Sequence, residues 1–254
     1  FTKFGLVFNS IAIGSTFVYM VLSGRDIEKV GINVAEYFAL IFFVLCGVAI
    51  VSAFNNLLML FLGIEIISIP LYILTGSDKR NLKSNEAALK YFLMGSFSTG
   101  IMLMGIVLIY GAKASFSLDA MNPLVNKSRE LWFTAGLLLL FISMAFKVSA
   151  APFHFWTPDV YDGAPTVFTS FMATIVKAGA FIGFIRLFGS VYAASSYNWK
   201  LVVAIIIAAT LFIGNITAVF QQSVKRMLAY SSIAQAGFML FALYSFNGLS
   251  HDGI

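Results

Sequence analysis

Charged residues are scarce in this sequence, making up 11% of its 254 residues, whereas soluble domains usually carry about 25%. Hydrophobic residues instead make up 60%, and runs of about 20 apolar residues, the length that crosses a bilayer core, recur along the whole chain. The polar loops between these runs are too short to fold alone. The sequence therefore predicts an all-α polytopic membrane protein in contact with lipid, without a soluble domain and without a nucleic-acid partner.

Cysteine and histidine are also rare. The single cysteine, Cys46, excludes an internal disulfide and is expected to be a small apolar packing residue. No CxxC, HExxH or His/Cys cluster is present, so neither a metal site nor a cofactor site is predicted in this chain. The chain opens FTKFGLVFNS without an initiator Met or a signal peptide and stops at SHDGI soon after an apolar run, which predicts an internal fragment of a longer protein.

Eight apolar runs are long enough to be transmembrane helices. They cover Phe4–Leu22, Ala35–Phe54, Leu57–Leu74, Ala87–Ala112, Leu131–Ala151, Thr166–Phe188, Leu201–Phe220 and Met227–Phe246. The fifth does not end cleanly, because Pro152, Pro158 and Pro165 follow in APFHFWTPDVYDGAP and each removes a backbone donor. We therefore expect a broken helix near residues 147–165, with an irregular or re-entrant second part that protein or a wet cavity covers.

Basic residues in the loops predict an orientation. One group comprises Arg25, Lys29, Lys79, Arg80, Lys83, Lys225 and Arg226, and a smaller group on the other side comprises Lys113, Lys127, Arg129 and Lys200, with Arg186 near the end of a span. By the positive-inside rule the larger group is cytoplasmic. The first span is then expected to run from outside to inside.

A short internal sequence similarity predicts a structural repeat. The junction between the second and third spans reads AFNNLLMLFLGIEI from Ala53, and the junction between the seventh and eighth reads VFQQSVKRMLAYSS from Val219. An odd number of spans separates the two, which inverts the second copy, as in many transporters; chance matching is the alternative. The predicted organisation is a leading helix and loop (1–34), a complete five-helix repeat (35–188) and the truncated start of a second, inverted repeat (199–254).

Three ionisable residues lie deep within apolar runs, where a charge costs roughly 2.5 to 3.5 kcal/mol on insertion scales. They are Glu65 in FLGIEIISIP, Lys147 in SMAFKVSAAP and Lys177 in FMATIVKAGA. The alternative to a function is a side chain that extends to the lipid headgroups or a static ion pair. Glu65 is short and Lys177 lies near the middle of its span, so neither reaches the interface easily, and this favours a function.

Glu65 and Lys147 are each followed five residues later by a proline, Pro70 and Pro152. The missing proline N–H leaves a carbonyl beside the charge without its helical partner, which gives water or a proton a place to bind; prolines that only kink the helix are the alternative. In low dielectric a lysine beside a carboxylate keeps its proton, whereas an isolated lysine loses it more readily. The pattern predicts a proton switch, in which His154 either passes protons to one aqueous face or is a packing residue.

Lys90 and Lys225 are secondary candidates. Lys90 lies four residues after Glu86, near the start of its span, where a contact with lipid or a role in topology is favoured over transport. Lys225 and its neighbour Arg226 are most simply anchors at the cytoplasmic interface.

The segment FKVSAAPFHFWTPDVYDGAPT, followed by Lys177 and by KRMLAYSSIAQAGF, closely resembles the antiporter-like membrane subunits of respiratory complex I, which are related to Mrp antiporters. LFLGIEIISIPLYIL and EAALKYFLMGS fit the same family, and the resemblance covers nearly the whole chain from Glu36 onward. The motif HFWTPDVYDGAPT is most similar to that of the N-type subunit of the bacterial type I NADH:quinone oxidoreductase.

The resemblance implies two inverted five-helix repeats, each with a discontinuous helix, in a multi-pass protein of the bacterial inner membrane. It implies proton translocation, with Glu65 on the family's fifth helix, Lys147 and His154 on the broken seventh helix, and Lys177 on the eighth. Gln235 in SSIAQ stands where many relatives have histidine, so protonation at that point does not carry over.

The resemblance also implies that the chain is a subunit of a proton-pumping NADH:quinone oxidoreductase and holds no redox centre itself. NADH, FMN, iron–sulfur clusters and quinone are then expected in partner subunits. The expected partners are other membrane subunits, including M-type antiporter-like and small K-, J- and A-type subunits. Two alternatives remain, namely a subunit of a multisubunit Na+/H+ antiporter and a purely structural subunit with static charge pairs.

Overall fold

The computed structural model describes residues 3–119, 129–192 and 199–245. Within these residues the regular structure is helical, and the isolated bridge between Asn56 and Ser117 belongs to no strand. Eight of the described helical stretches are long and apolar enough to cross a membrane. The prediction of an all-α polytopic membrane protein is confirmed.

Ten α-helices make up these stretches and the broken part between them. They are α1 (Lys3–Val30), α2 (Val34–Ala53), α3 (Leu57–Thr75), α4 (Leu82–Lys113), α5 (Glu130–Lys147), α6 (Trp156–Gly163), α7 (Thr166–Phe171), α8 (Lys177–Tyr192), α9 (Trp199–Val219) and α10 (Val224–Ser245). A π-helical turn, Met172–Val176, joins α7 to α8, so that these two helices form one span.

Several helices are longer than the apolar runs that predicted them, α1 and α4 most of all. The first run ends at Leu22, but α1 continues for two more turns and contains Arg25 and Lys29. The fourth run starts at Ala87, but α4 begins at Leu82, because the Asn81 side chain accepts a hydrogen bond from a backbone N–H of the first turn and caps the helix. Hydropathy marks the part of a helix that lies in lipid, and the polar ends extend beyond it.

Two predicted positions, Lys127 and the end of the eighth span at Phe246, lie outside the described residues.

Consecutive helices pack as hairpins, α2 with α3, α4 with α5, and α9 with α10. Glycine allows close approach in the first two. A Cβ atom on Gly47 of α2 would lie 2.9 Å from the carbonyl oxygen of Gly63 in α3, and one on Gly105 of α4 would lie 2.9 Å from that of Gly136 in α5. Close contacts between small residues are a common way for helices to associate in a membrane, where the hydrophobic effect does not drive them together.

Buried aromatic rings join α5, α8 and α9. Phe141 lies 5.3 Å from Phe184 and 5.4 Å from Phe188, and Phe188 lies 6.1 Å from Trp199, measured between ring centroids. Arg186, on the same helix as the two phenylalanines of α8, donates hydrogen bonds to carbonyl oxygens at the carboxyl end of α2. These carbonyls have no partner within their own helix, and the cation also complements the negative end of the helix dipole.

The helix break is shorter than predicted. The chain leaves helical structure after Lys147 and resumes it at Trp156, so residues 148–155 are irregular, and the second part, expected to be irregular or re-entrant, is the helix α6 followed by two non-helical residues, 164 and 165. Pro158 is the third residue of α6, where the missing N–H has no intrahelical acceptor to lose.

The four prolines predicted to break helices therefore have different positions. Pro152 lies in the irregular segment and Pro165 directly precedes α7. Pro70 lies inside α3, which continues through it, and Pro158 lies inside α6, so the prediction of a break at these two is wrong. A transmembrane helix tolerates an internal proline when neighbouring groups satisfy the freed carbonyl.

Candidate functional site

The first half of the irregular segment, residues 148–155, is covered by the helices around it. Residues 148–151 are fully buried, and Ser149 has a positive φ of 65°. The backbone N–H of Ala151 donates a hydrogen bond to Thr210 Oγ1 of α9 at 2.9 Å, and the Thr157 hydroxyl of α6 donates to Ser149 Oγ at 2.7 Å. Backbone carbonyls accept from the N–H groups of Val148, Ser149, Ala150 and Phe153, and a side chain accepts from that of Ala151, so these groups are satisfied as non-helical backbone at membrane depth requires.

Lys147 is the last residue of α5, and its ammonium group reaches α3. The Nζ atom donates to Ser68 Oγ at 2.9 Å, and that hydroxyl donates to the Ile64 carbonyl at 2.7 Å. Glu65 lies three residues before Ser68, on the same face of α3, and its buried Oε1 atom has no hydrogen-bond partner. Among the described residues no ion pair links Glu65 to Lys147. The lysine therefore binds a neutral hydroxyl one turn away from the carboxylate.

Lys177 is the first residue of α8, directly after the π-helical turn, and only 5% of it is exposed. Its Nζ atom donates to two oxygen atoms of Ser232 in α10, the side-chain Oγ at 2.7 Å and the carbonyl oxygen at 2.9 Å. π-helical turns are frequent at functional sites, since the extra residue changes the direction of the side chains that follow. The half-buried Lys147 and the buried Lys177 are thus both bound by neutral oxygen acceptors, and they bind different helices.

His154 lies in the irregular segment and is buried. Its ring stacks on Phe155 at 4.8 Å and meets Tyr230 of α10 edge-on at 6.4 Å, between ring centroids. The structure thus surrounds His154 with aromatic rings and brings neither buried lysine to it by a hydrogen bond in the described part of the chain. The packing alternative and the relay alternative for this residue both stay predictions.

Lys90 and Arg226 both bind Asp159. Lys90 Nζ lies 2.7 Å from Asp159 Oδ2 and 2.8 Å from Glu86 Oε1, and Arg226 Nη1 lies 2.9 Å from Asp159 Oδ1. The four residues come from α4, α6 and α10. Lys90 therefore joins two helices through an ion pair.

Lys225 binds the carboxyl end of α6. Its Nζ atom donates to the Ala164 carbonyl at 3.1 Å and to the Asp162 carbonyl at 3.5 Å. The neighbouring Ser223 hydroxyl donates to Asp162 Oδ1 at 2.7 Å. Lys225 thus caps α6 at the end where unpaired carbonyls attract a cation.

Three residues of the site were not predicted from the sequence: Ser68, Ser232 and Asp159. Ser68 could have been identified from the sequence, because it lies one helical turn after Glu65 and can share the same face of the helix. No sequence pattern identifies Ser232 or Asp159. Serine is common in membrane helices, and a single acidic residue beside prolines is typical of a loop. Within residues 3–119, 129–192 and 199–245, no group of three or more His, Cys, Asp or Glu residues could hold a metal ion.

A family model described as the transmembrane region of NADH:quinone oxidoreductase and Mrp antiporters matches residues 54–252. This chain belongs to that family. The match confirms the resemblance that the sequence motifs predicted. Together with the eight apolar helices, it confirms a multi-pass protein of the bacterial inner membrane.

Curated relatives of the family are similar over nearly the whole chain. The chain is 45% identical over 238 residues to NADH-quinone oxidoreductase subunit N of Cytophaga hutchinsonii, an alignment that covers 94% of this chain and 52% of the relative. It is 42% identical over 242 residues to the same subunit of Flavobacterium psychrophilum, covering 95% and 53%. The chain spans about half the length of the curated relatives that it matches.

Solved structures share the fold. A chain of respiratory complex I from Thermus thermophilus with bound aureothin is 39% identical with a TM-score of 0.73, over 84% of this chain and 46% of that chain. A chain of the membrane-bound sulfane sulfur reductase, an archaeal respiratory complex, is 28% identical with a TM-score of 0.76, over 84% and 44%. A chain of the Mrp complex from Dietzia is 21% identical with a TM-score of 0.71, over 81% and 38%, which shows the fold alone.

Proposed function

We propose that this chain is a proton-translocating membrane subunit of an NADH:quinone oxidoreductase. The observation that carries the proposal is the pair of lysines within the spans, the half-buried Lys147 on Ser68 and the buried Lys177 on Ser232, each bound to neutral oxygen acceptors. The subunit N relatives, at 45% and 42% identity, support the choice of complex.

The proposed half channel uses Glu65 as the switch. A carboxylate beside a lysine in low dielectric favours the ammonium form, and a lysine without one releases its proton more readily. When Glu65 approaches Lys147, Lys147 keeps its proton; when the two separate, the proton passes to Lys177, where both Ser232 oxygens accept the new ammonium group. Residues of this chain bind and move protons only, and electron transfer takes place elsewhere in the complex.

The complex supplies the remaining parts of the proposal. NADH, FMN, iron–sulfur clusters and quinone would bind partner subunits, and neighbouring membrane subunits would be the M-type antiporter-like and the small K-, J- and A-type subunits. The larger group of basic residues would face the cytoplasm. Residues 35–188 would form the first five-helix repeat, and 199–254 the start of the inverted second one.

A subunit of a multisubunit Na+/H+ antiporter is the second candidate. The family includes Mrp antiporters and the fold is shared with one, which is the observation that favours it. Purification of the complex separates the two candidates. Peripheral subunits that oxidise NADH and carry iron–sulfur clusters should copurify with this chain, whereas an antiporter would lack them.

Lysine substitutions in the complete complex test the proton path. We expect Lys147→Ala and Lys177→Ala each to retain less than about one tenth of the wild-type rate of NADH-driven proton uptake into inverted membrane vesicles, which corresponds to about 1.4 kcal/mol of added barrier. NADH oxidation by a water-soluble acceptor reports assembly and should not change. Lys79→Ala alters an exposed lysine before α4 and serves as the control. Normal pumping by either buried-lysine variant would refute the proposal.

A further inference from the structure

Asp159 connects α4, α6 and α10, and α10 also carries Ser232, the partner of Lys177. Each of its carboxylate oxygens binds one cation, Oδ2 binding Lys90 of α4 at 2.7 Å and Oδ1 binding Arg226 of α10 at 2.9 Å. One third of the Asp159 side chain is exposed. Lys90 is held from the other side by Glu86, one turn earlier on α4. Each oxygen atom of the carboxylate therefore binds one cation, and the two cations come from two different helices.

The same end of α10 contacts α6 at further points. Ser223 donates to the Asp162 carboxylate at 2.7 Å, and Lys225 donates to the Ala164 carbonyl at 3.1 Å. Arg226 is itself oriented by a hydrogen bond of 3.3 Å from its Nε atom to Gln221 Oε1. With the Lys225 bond to the Asp162 carbonyl at 3.5 Å, the start of α10 is thus fixed to the end of α6 by an ion pair and three hydrogen bonds.

This connection lies close to the partner of Lys177. Ser232 follows Arg226 by six residues on α10, a distance of about 9 Å along the helix. α6, which carries Asp159, begins directly after the irregular segment that follows Lys147. A displacement of the first turn of α10 relative to α6 would therefore move Ser232 relative to the buried lysines.

We propose that Asp159 is a positioning residue for proton transfer, whose bridge between Lys90 and Arg226 keeps Ser232 within hydrogen-bond distance of Lys177. The inference rests on the proposed function and adds a residue to it. An exposed ion pair contributes little to stability by itself. A pair that joins three helices acts on geometry instead, so that its loss should affect transport more than it affects folding.

A double-mutant cycle in the complete complex tests this role. We expect Asp159→Asn to lower the number of protons pumped per NADH oxidised by about fivefold, and Asp159→Glu, which keeps the charge, to restore most of it. Ser232→Ala alone should also lower pumping. If Asp159 acts through Ser232, the two changes remove the same contact. The double variant Asp159→Asn/Ser232→Ala should then pump at the rate of whichever single variant pumps less.

The control is Asp26→Asn, which breaks the exposed Asp26–Lys29 ion pair of 2.6 Å on α1 and should leave pumping unchanged. The inference would be overturned if the double variant lost pumping by the product of the two single-variant factors, or if Asp159→Asn alone pumped like the wild type. If Asp159→Asn does not assemble, Arg226→Gln removes the α10 side of the bridge alone, and wild-type pumping by that variant would overturn it equally.

The failure of this inference differs from a failure of the proposed function. Normal pumping by Lys177→Ala would overturn the proposed function. Loss of pumping in Lys177→Ala together with normal pumping in Asp159→Asn would overturn only the positioning role.

Discussion

Replacing Ser232 by Ala removes one of the two oxygen atoms that bind Lys177. The Nζ atom lies 2.7 Å from Ser232 Oγ and 2.9 Å from the carbonyl oxygen, which remains in the variant. A hydrogen bond to a charged group contributes roughly 1.5–3 kcal/mol, and one between neutral groups about 1 kcal/mol. The protonated form of Lys177 should therefore lose about 1–2 kcal/mol more than the neutral form, which changes the ratio of the two forms by a factor of roughly 5–30.

The assay is the pH dependence of NADH-driven proton uptake in vesicles. In the variant Lys177 binds its proton more weakly, so a lower pH is needed to load it. The high-pH limb of the pumping profile should move to lower pH by about one unit, because one unit corresponds to about 1.4 kcal/mol.

Two variants control for side effects of that substitution. Ser232→Thr keeps a hydroxyl, and Ser231→Ala changes an exposed neighbour on the same helix; both should keep the wild-type profile. An assembled Ser232→Ala complex with an unchanged profile would refute the role assigned to the hydroxyl.

Two further predictions concern the other lysine and the packing of α6. Ser68→Ala removes the acceptor of Lys147 and should slow proton pumping in vesicles by about fivefold, while Ser68→Thr should pump normally; equal rates for the two variants would contradict the assignment. Gly163→Ala would place a Cβ atom 2.5 Å from a backbone oxygen of α4, and such overpacking should destabilise the subunit by about 1–3 kcal/mol. Gly100→Ala, where no atom lies within 4 Å of the new methyl group, is the control in thermal unfolding of the purified complex and should not be destabilised.

The spans could be predicted from the sequence because lipid imposes one simple requirement, a run of about 20 apolar residues. The depth of the charged residues within those runs follows from the same pattern, which is why Glu65, Lys147 and Lys177 could be named. Their partners could not be named. Hydropathy gives the depth of a residue but not the neighbour that its helix face meets, so a contact such as Lys177 with Ser232, 55 residues later, requires the packing of the helices.

The broken helix shows the same limit at the level of the backbone. Three prolines in fourteen residues predict a long irregular stretch, yet α6 forms in the middle of it, because Pro158 falls in the first turn, where a proline is tolerated. A shift of one turn in where that helix begins would have placed the same proline at a disruptive position. The sequence identifies which residues can break a helix, but the outcome depends on where the helix starts.

Under the proposed function, the open arrangement of Glu65 and Lys147 suits a switch better than a closed ion pair would. A closed pair is held by the direct attraction of its two charges, which a switch would have to overcome at each opening. Here Lys147 is satisfied by Ser68, while the buried Glu65 Oε1 lacks a hydrogen-bond partner, and a buried acceptor without a partner costs roughly 1–3 kcal/mol. In the proposed switch the ammonium group would leave the Ser68 hydroxyl for the Glu65 carboxylate, and the gain in ion pairing would be offset by the lost hydrogen bond and by desolvation of both charges. Under the proposed function, a change in the electrostatic field from neighbouring subunits would choose between the two positions.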